Sequence, residues 1–289
     1  MLEFVRREVR AACSTALTGM MANPIEQNDV TVGSWAELCE RLYDESWQED
    51  IGCFRSNFAF RGLSDKTFHL TSSFKRNYGD RAGLEYHLLR NFRKYSQLGD
   101  LDLTYSDWRW MTLAQHHGLP TRLLDWTYSP FVAVHFATSE TDRYEADGVI
   151  WEVDFVKVNR LLPPPLITQL NDAGANAFTV GMLEKAVSDV KEFDSLSAGE
   201  LVVFFEPPSI DARIVNQFAL FSVMSGPTSD LDDWLIRHPS LFQRIIIPKE
   251  LKWEIRDKLD QANITERMLF PGLDGLALWL RRHYQPRGQ

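Results

Sequence analysis

Arg61 closes a short aromatic run, "NFAFRG" at residues 57–62, in which Phe58, Ala59 and Phe60 read as a strand entering a core. A guanidinium in that position is costly unless a carboxylate pairs with it or a ligand does. A second stretch, "QHHGLPTRLLDWTYSPFVAVHFATSE" at residues 115–140, gathers Gln115, His116, His117, Arg122, Asp125, Trp126, Thr127 and Tyr128 between two expected helices. A loop so rich in donors and aromatic planes can line a pocket for a polar ligand. Equally, Arg122 and Asp125 can satisfy one another as a buried latch, with Trp126 in the core. The residue types alone leave both readings open.

Other chemistries find no pattern here. The chain holds no Walker A loop, no Gly-x-Gly-x-x-Gly, no Gly-x-Ser-x-Gly and no His-Glu-x-x-His. His116 and His117 are the most metal-like pair, but neighbours on a helix point about 100° apart and cannot face one ion as an i, i+4 pair does. No metal site is expected.

The elements that must position these residues follow from patterning. Ser34 and Glu37 form a capping box for a helix through "WAELCERLY". "HLTSSFKR" reads as strand or loop, and "AGLEYHLLRNFRKYSQL" as a helix with Leu84, Leu88, Phe92 and Tyr95 on one stripe and Arg90, Arg93 and Lys94 on a solvated face. Ser106 caps a helix that Gly118 stops, and Pro130 opens another. "DGVIWEVDF", "ELVVFFEPP", "ARIVNQFALFSVM" and "LFQRIIIP" read as strands. "LPPP" reads as a break, "VGMLEKAVSDVKEF" as helical, and "KELKWEIRDKLDQANI" and "LDGLALWLRRHY" as closing helices. The interleaving without a βαβ cadence predicts an α+β fold: a mixed or antiparallel central sheet with flanking helices. The expected organisation is an N-terminal helix or arm with a polar loop at 1–33, followed by one domain at 34–289.

Composition bounds the rest. The 289 residues are 44% hydrophobic, enough for one large core or two modest ones, and the formal charge of −9 disfavours a protein that coats nucleic acid. Three scattered cysteines suit a reducing compartment. No run of about 20 apolar residues and no clean signal peptide is read, so the expectation is a cytoplasmic protein with no membrane partner.

The sequence resembles the FRG domain family in "FAFRG", "HLTSSFKR", "LAQHHGLPTRLLDWTYSPFVAVHFA", "ARIVNQFALFSV" and "MLFPGLDGLA", in order over residues 57–277. A weaker resemblance is to ADP-ribosyltransferases of the poly-ADP-ribose polymerase type. Their first strand holds a His before Gly, where the arginine-type transferases use an Arg. "FRG" is similar to the latter, with Arg61 at that position, and "VHFATS" is similar to the Tyr-Phe-Ala element, with His135 in the tyrosine's place. "NQFALF" is similar to the third strand, with Gln217 where the catalytic glutamate would fall. This second resemblance implies NAD as substrate, with Arg61, His135, Gln217 and Glu206 catalytic. Arg61 would anchor pyrophosphate or ribose, His135, Trp126 or Tyr128 would stack on nicotinamide, and Glu206 would supply the missing negative charge. Arg61, Gly62, Ser72, His116, His117, Arg122, Asp125 and Trp126 would bind the NAD. It further implies a toxin or phage-defence effector, with a neutralising antitoxin or chaperone and a protein or nucleic-acid acceptor. A binding module that has lost catalysis is the rival, since the glutamate is missing. A third reading gives the work to the N-terminal arm.

Overall fold

A computed structural model describes residues 24–96 and 106–286. The expected N-terminal helix, within residues 1–23, lies outside them. The fold is α+β: eight strands form one mixed sheet with helices on both faces. The strands are β1 (Asp29–Thr31), β4 (Phe58–Leu63), β5 (Leu124–Thr127), β6 (Gly148–Asp154), β7 (Phe178–Thr179), β8 (Val202–Glu206), β9 (Ala219–Met224) and β10 (Phe242–Ile247). They lie in the order β1-β10-β6-β4-β5-β9-β8-β7. The end pairs β1/β10 and β7/β8 are parallel, and every other pair is antiparallel. β2 (Trp47–Gln48) and β3 (Cys53–Phe54) make a separate small hairpin.

Alternation along the strands divides the core. Ala59, Trp126, Trp151, Phe204 and Leu220 lie on one face, under helices Phe155–Asn159 and Leu231–Ile236. The other face carries two separate helical groups. Pro130–Ala137 and Lys252–Gln261 cover β4, β6 and β10 through Phe60, Ala133, Ile150, Ile245 and Ile255. Asp107–His116, Pro164–Ala173, Val180–Ala186 and Val190–Ser195 cover β8 and β9 through Trp108, Phe193, Phe205 and Phe221. The space left between the two groups lies over the middle of the sheet.

Most of the expected elements form. Ser34 accepts from Glu37 N as the cap, while Glu37 Oε2 reaches back to Gly33 N, one residue before the position a capping box uses. Ser106 caps the Asp107–His116 helix, which ends before Gly118 at φ 80°. Several expectations are corrected. The polar loop before residue 34 contains β1, so the sheet begins before that point. "HLTSSFKR" yields a helix, Ser73–Tyr78, because the Ser72 hydroxyl caps it. The 115–140 loop contains β5, an interior strand. "LPPP" opens a helix, with Pro at its tolerated first position. The Gly83–Tyr95 helix forms, but Arg93 is ion-paired to Asp107 and packs on Trp110 instead of facing solvent. "ARIVNQFALFSVM" is a helix (Ala212–Asn216) followed by β9, and Phe218, at φ 47°, turns the chain between them.

Candidate ligand-binding site

β4 and β5 meet at a single residue pair, Phe60 opposite Thr127. Beyond that pair they make no further ladder contact, so the middle of the sheet opens beside Arg61 and Gly62. A cavity of about 270 Å³ occupies this opening. Its floor is Phe60, Gly62, Asp125, Thr127, Ala219 and Phe221, which share a face by register. Gln115 and His116 wall it from one helical group, Phe136, Ser139 and Glu140 from the other. Arg213, near the start of helix Ala212–Asn216, and Gln217, just past its end, close a third side.

Gly62 permits this arrangement. A β-carbon there would lie 1.8 Å from the Ala133 carbonyl oxygen, so only glycine lets the Pro130–Ala137 backbone rest on β4. Glycine after Arg61 is therefore demanded by packing, and the helix it admits carries Phe136 to the cavity.

The Arg61 guanidinium is half-buried at the opening. Its Nη1 donates to the main-chain carbonyl of Asp125, and its Nε is buried with no hydrogen-bond partner among the described residues. Among those residues it forms no ion pair. Burial pushes its pKa down, opposed by the Asp125 charge, with Arg76 nearby adding to the positive potential. The Asp125 carboxylate is exposed and accepts from Gln115 Nε2 at 3.0 Å. An arginine neutralised only by a carbonyl dipole and a nearby acid keeps capacity for an anion.

Of the residues singled out from sequence, Arg61, Gly62, Gln115, His116, Asp125, Trp126, Thr127 and Gln217 line the cavity. Trp126, however, sends its indole N–H to Ser222 at 2.8 Å and packs on Phe204, so its ring is held in the core. His116 contacts Asp211 at 2.6 Å, and burial lowers its pKa against that charge. Gln217 donates to the Leu269 carbonyl at 2.9 Å and sits just after a helix, not on a strand.

The remaining candidates lie elsewhere. Arg122 does not latch to Asp125: it is buried between Glu85 and Asp194 and also donates to the Met224 carbonyl; burial alone would lower its pKa, and the two carboxylates raise it overall. Ser72 caps a helix, and exposed His117 packs edge-on against His116. Glu206 accepts from Tyr128 at 3.0 Å, outside the cavity lining. His135 is fully buried, accepting at Nδ1 from Arg256 Nη1 at 2.9 Å, and burial pushes its pKa down to about 3. It faces a second hollow of about 650 Å³ that shares Phe136, Ser139 and Glu140 with the first. That hollow is also bordered by Arg143 and Arg281.

Glu140, Ser139, Phe136 and Arg213 were not legible as site residues. Glu140 stands three residues past the end of its helix, where no period predicts its direction. Arg213 packs over Phe270 at 5.0 Å, a contact formed only by the fold. Among the described residues no group of three or more His, Cys, Asp or Glu side chains is placed to hold a metal, and no helix is long and apolar enough to cross a membrane.

The family comparison falls on this site. Residues 56–146 match the FRG domain family, a span that carries Arg61, Gly62, Gln115, Asp125 and Glu140 but not Arg213 or Gln217. No curated protein and no solved structure matches the chain.

Proposed function

We propose that the opening between β4 and β5 binds a phosphate-bearing nucleotide through Arg61, and that the protein is an NAD-using, ADP-ribosyltransferase-like enzyme. The observation that carries the binding half is the Arg61 guanidinium, bonded to a carbonyl rather than a carboxylate at the mouth of a cavity. Phosphate oxygens suit the terminal guanidinium N–H groups not spent on the Asp125 carbonyl. The transferase half rests on the resemblance of the "FRG" segment and on the acids at the cavity, since His135 of "VHFATS" is buried against Arg256 and Gln217 of "NQFALF" follows a helix.

Cleaving the nicotinamide–ribose bond develops oxocarbenium character, which a nearby carboxylate stabilises. Asp125 and Glu140 line the cavity and are better placed for that task than Glu206. Gln217 would orient a ribose hydroxyl through its carbonyl oxygen, since its amide nitrogen is already committed to Leu269. Phe136 or Phe221 would face the nicotinamide in place of His135. On this reading the macromolecular acceptor, and a neutralising partner if the protein is a toxin or phage-defence effector, bind outside the cavity.

The rival reading is a nucleotide-binding module without catalysis, favoured by the neutral Gln217. Titration with NAD, followed by assay of free nicotinamide, tests both. Saturable binding with nicotinamide release supports the enzyme, binding without release supports the module, and no binding overturns both.

A further inference from the structure

Away from the cavity, five aromatic rings form an unbroken chain across the surface. Trp47 meets Phe54 edge-on at 5.1 Å, Phe54 meets Tyr43 at 6.3 Å, Tyr43 meets Phe131 at 6.2 Å, and Phe131 meets Trp35 at 6.0 Å. Three of them are open to solvent: Tyr43 at 47%, Trp47 at 51% and Phe54 at 56%. Ile51, at the tip of the β2–β3 hairpin, is 63% exposed. Contiguous exposed aromatics of this kind are what interaction sites use, because large rigid rings are ordered at little entropic cost.

The hairpin is held ready. Arg55 N donates to the Ser46 carbonyl at 2.6 Å, Ser46 N to the Tyr43 carbonyl at 3.1 Å, and Gln48 Nε2 to the Arg55 carbonyl at 3.1 Å. The other end of the chain, Phe131, stands on the Pro130–Ala137 helix that leans on Gly62. The aromatic surface and the cavity thus share an element.

Its surroundings are mainly acidic. Residues 35–55 hold six acids, Glu37, Glu40, Asp44, Glu45, Glu49 and Asp50, against Arg41, which pairs with Asp44, and Arg55, which donates to the Phe54 carbonyl. From other elements Lys157 stands 3.8 Å from Glu45 and Lys258 lies over the Trp35 ring, so among the described residues Glu40, Glu49 and Asp50 are left without a cation. Glu40, Glu49 and Asp50 are exposed. That field repels nucleic acid and anionic lipid. It also disfavours a symmetric contact with a second copy, which would set acid against acid. It attracts cations, and half-exposed ring faces add to the attraction for Arg and Lys.

We propose that the Trp47–Phe54–Tyr43 surface docks a partner protein through a basic segment in which Arg or Lys alternates with apolar residues. The apolar residues cover the rings and the cations meet the acidic fringe. The inference does not depend on the cavity's ligand.

The test is calorimetric titration of the full chain with a short peptide of alternating Arg and Leu, with the Glu/Leu counterpart as control. Saturable binding is expected for the basic peptide alone, weakening as salt rises from about 50 to about 300 mM. Affinity should fall about tenfold or more in Trp47→Ala/Phe54→Ala, hot-spot truncations. It should fall similarly in Glu49→Lys/Asp50→Lys, exposed changes that leave the rings in place. No saturable binding, equal binding of the acidic peptide, or affinity unchanged in both variants overturns the proposal. So does light scattering that shows a dimer abolished by Trp47→Ala, which would make the occupant a second copy.

Discussion

The guanidinium of Arg61 donates to the main-chain carbonyl of Asp125, while the carboxylate of the same aspartate is held by Gln115 Nε2. The two charges therefore stand near one another without closing into an ion pair. The strands that carry them part after the pair Phe60–Thr127, and the cavity lies in the gap. A basic group and an acidic group, each with spare bonding capacity, face one space.

Arg61→Ala should remove the anion anchor and leave the sheet standing, since β4 keeps its full ladder with β6. Losing a charge-assisted contact of about 1.5–3 kcal/mol predicts roughly ten- to a hundred-fold weaker nucleotide binding. Arg61→Lys should restore little, because a point charge cannot reproduce the planar fork. Calorimetry on the three proteins checks the order.

Gly62→Ala should fail for a different reason. The added methyl meets the backbone of Ala133 and Ala137, which no side-chain rotation relieves. Destabilisation at or above the usual overpacking range of about 1–3 kcal/mol is expected in urea unfolding. A Gly62→Ala protein with unchanged stability would mean that the helix does not lie on β4.

Arg122 separates structural from binding roles. Arg122→Leu leaves the half-buried Glu85 and Asp194 without their shared cation and frees the Met224 carbonyl, which predicts a stability loss of about 1–3 kcal/mol, since water can reach the two acids. If that variant instead kept its melting temperature and lost ligand, Arg122 would belong to the site.

Two buried groups set opposite pH dependences. Burial, reinforced by Asp44 and Glu45, pushes Glu152 up to about 8, so the folded chain holds a proton that the unfolded chain releases from 4.5 upward. Its contribution is full below pH 4.5 and is lost as pH rises through 8. Glu152→Gln should therefore gain stability over the natural protein above pH 4.5, reaching a plateau on the order of a few kcal/mol above pH 8. His135, held neutral down to about pH 3, contributes stability above pH 6.5 that is lost as pH falls towards 3. Unfolding curves from pH 4 to 9 on the natural protein and the glutamine variant read both slopes.

Local signals carried the framework far. The aromatic run of β4, the alternation before and through β6, the near-continuous apolar runs of β8 and β10, serine caps at Ser34 and Ser106, and Pro130 at a helix start each depend on a few neighbours in the chain. What local pattern could not supply was partnership. Arg122 finds Glu85 and Asp194 at separations of 37 and 72 residues, and Arg61 finds the Asp125 carbonyl 64 residues away. The segment around Gln217 misled because "ARIVN" and "ALFSVM" are both apolar, and the turn between them uses Phe218 at positive φ, with no glycine to signal it. His135 looked chemical by its place in a motif, yet it faces Arg256.

The most direct test is NAD titration of the natural protein and Arg61→Ala side by side, with melting curves on both and free nicotinamide assayed at the end. The account predicts saturable binding to the natural protein with nicotinamide released, and binding lost in a variant that melts at nearly the same temperature. Equal affinity in two well-folded proteins would contradict it.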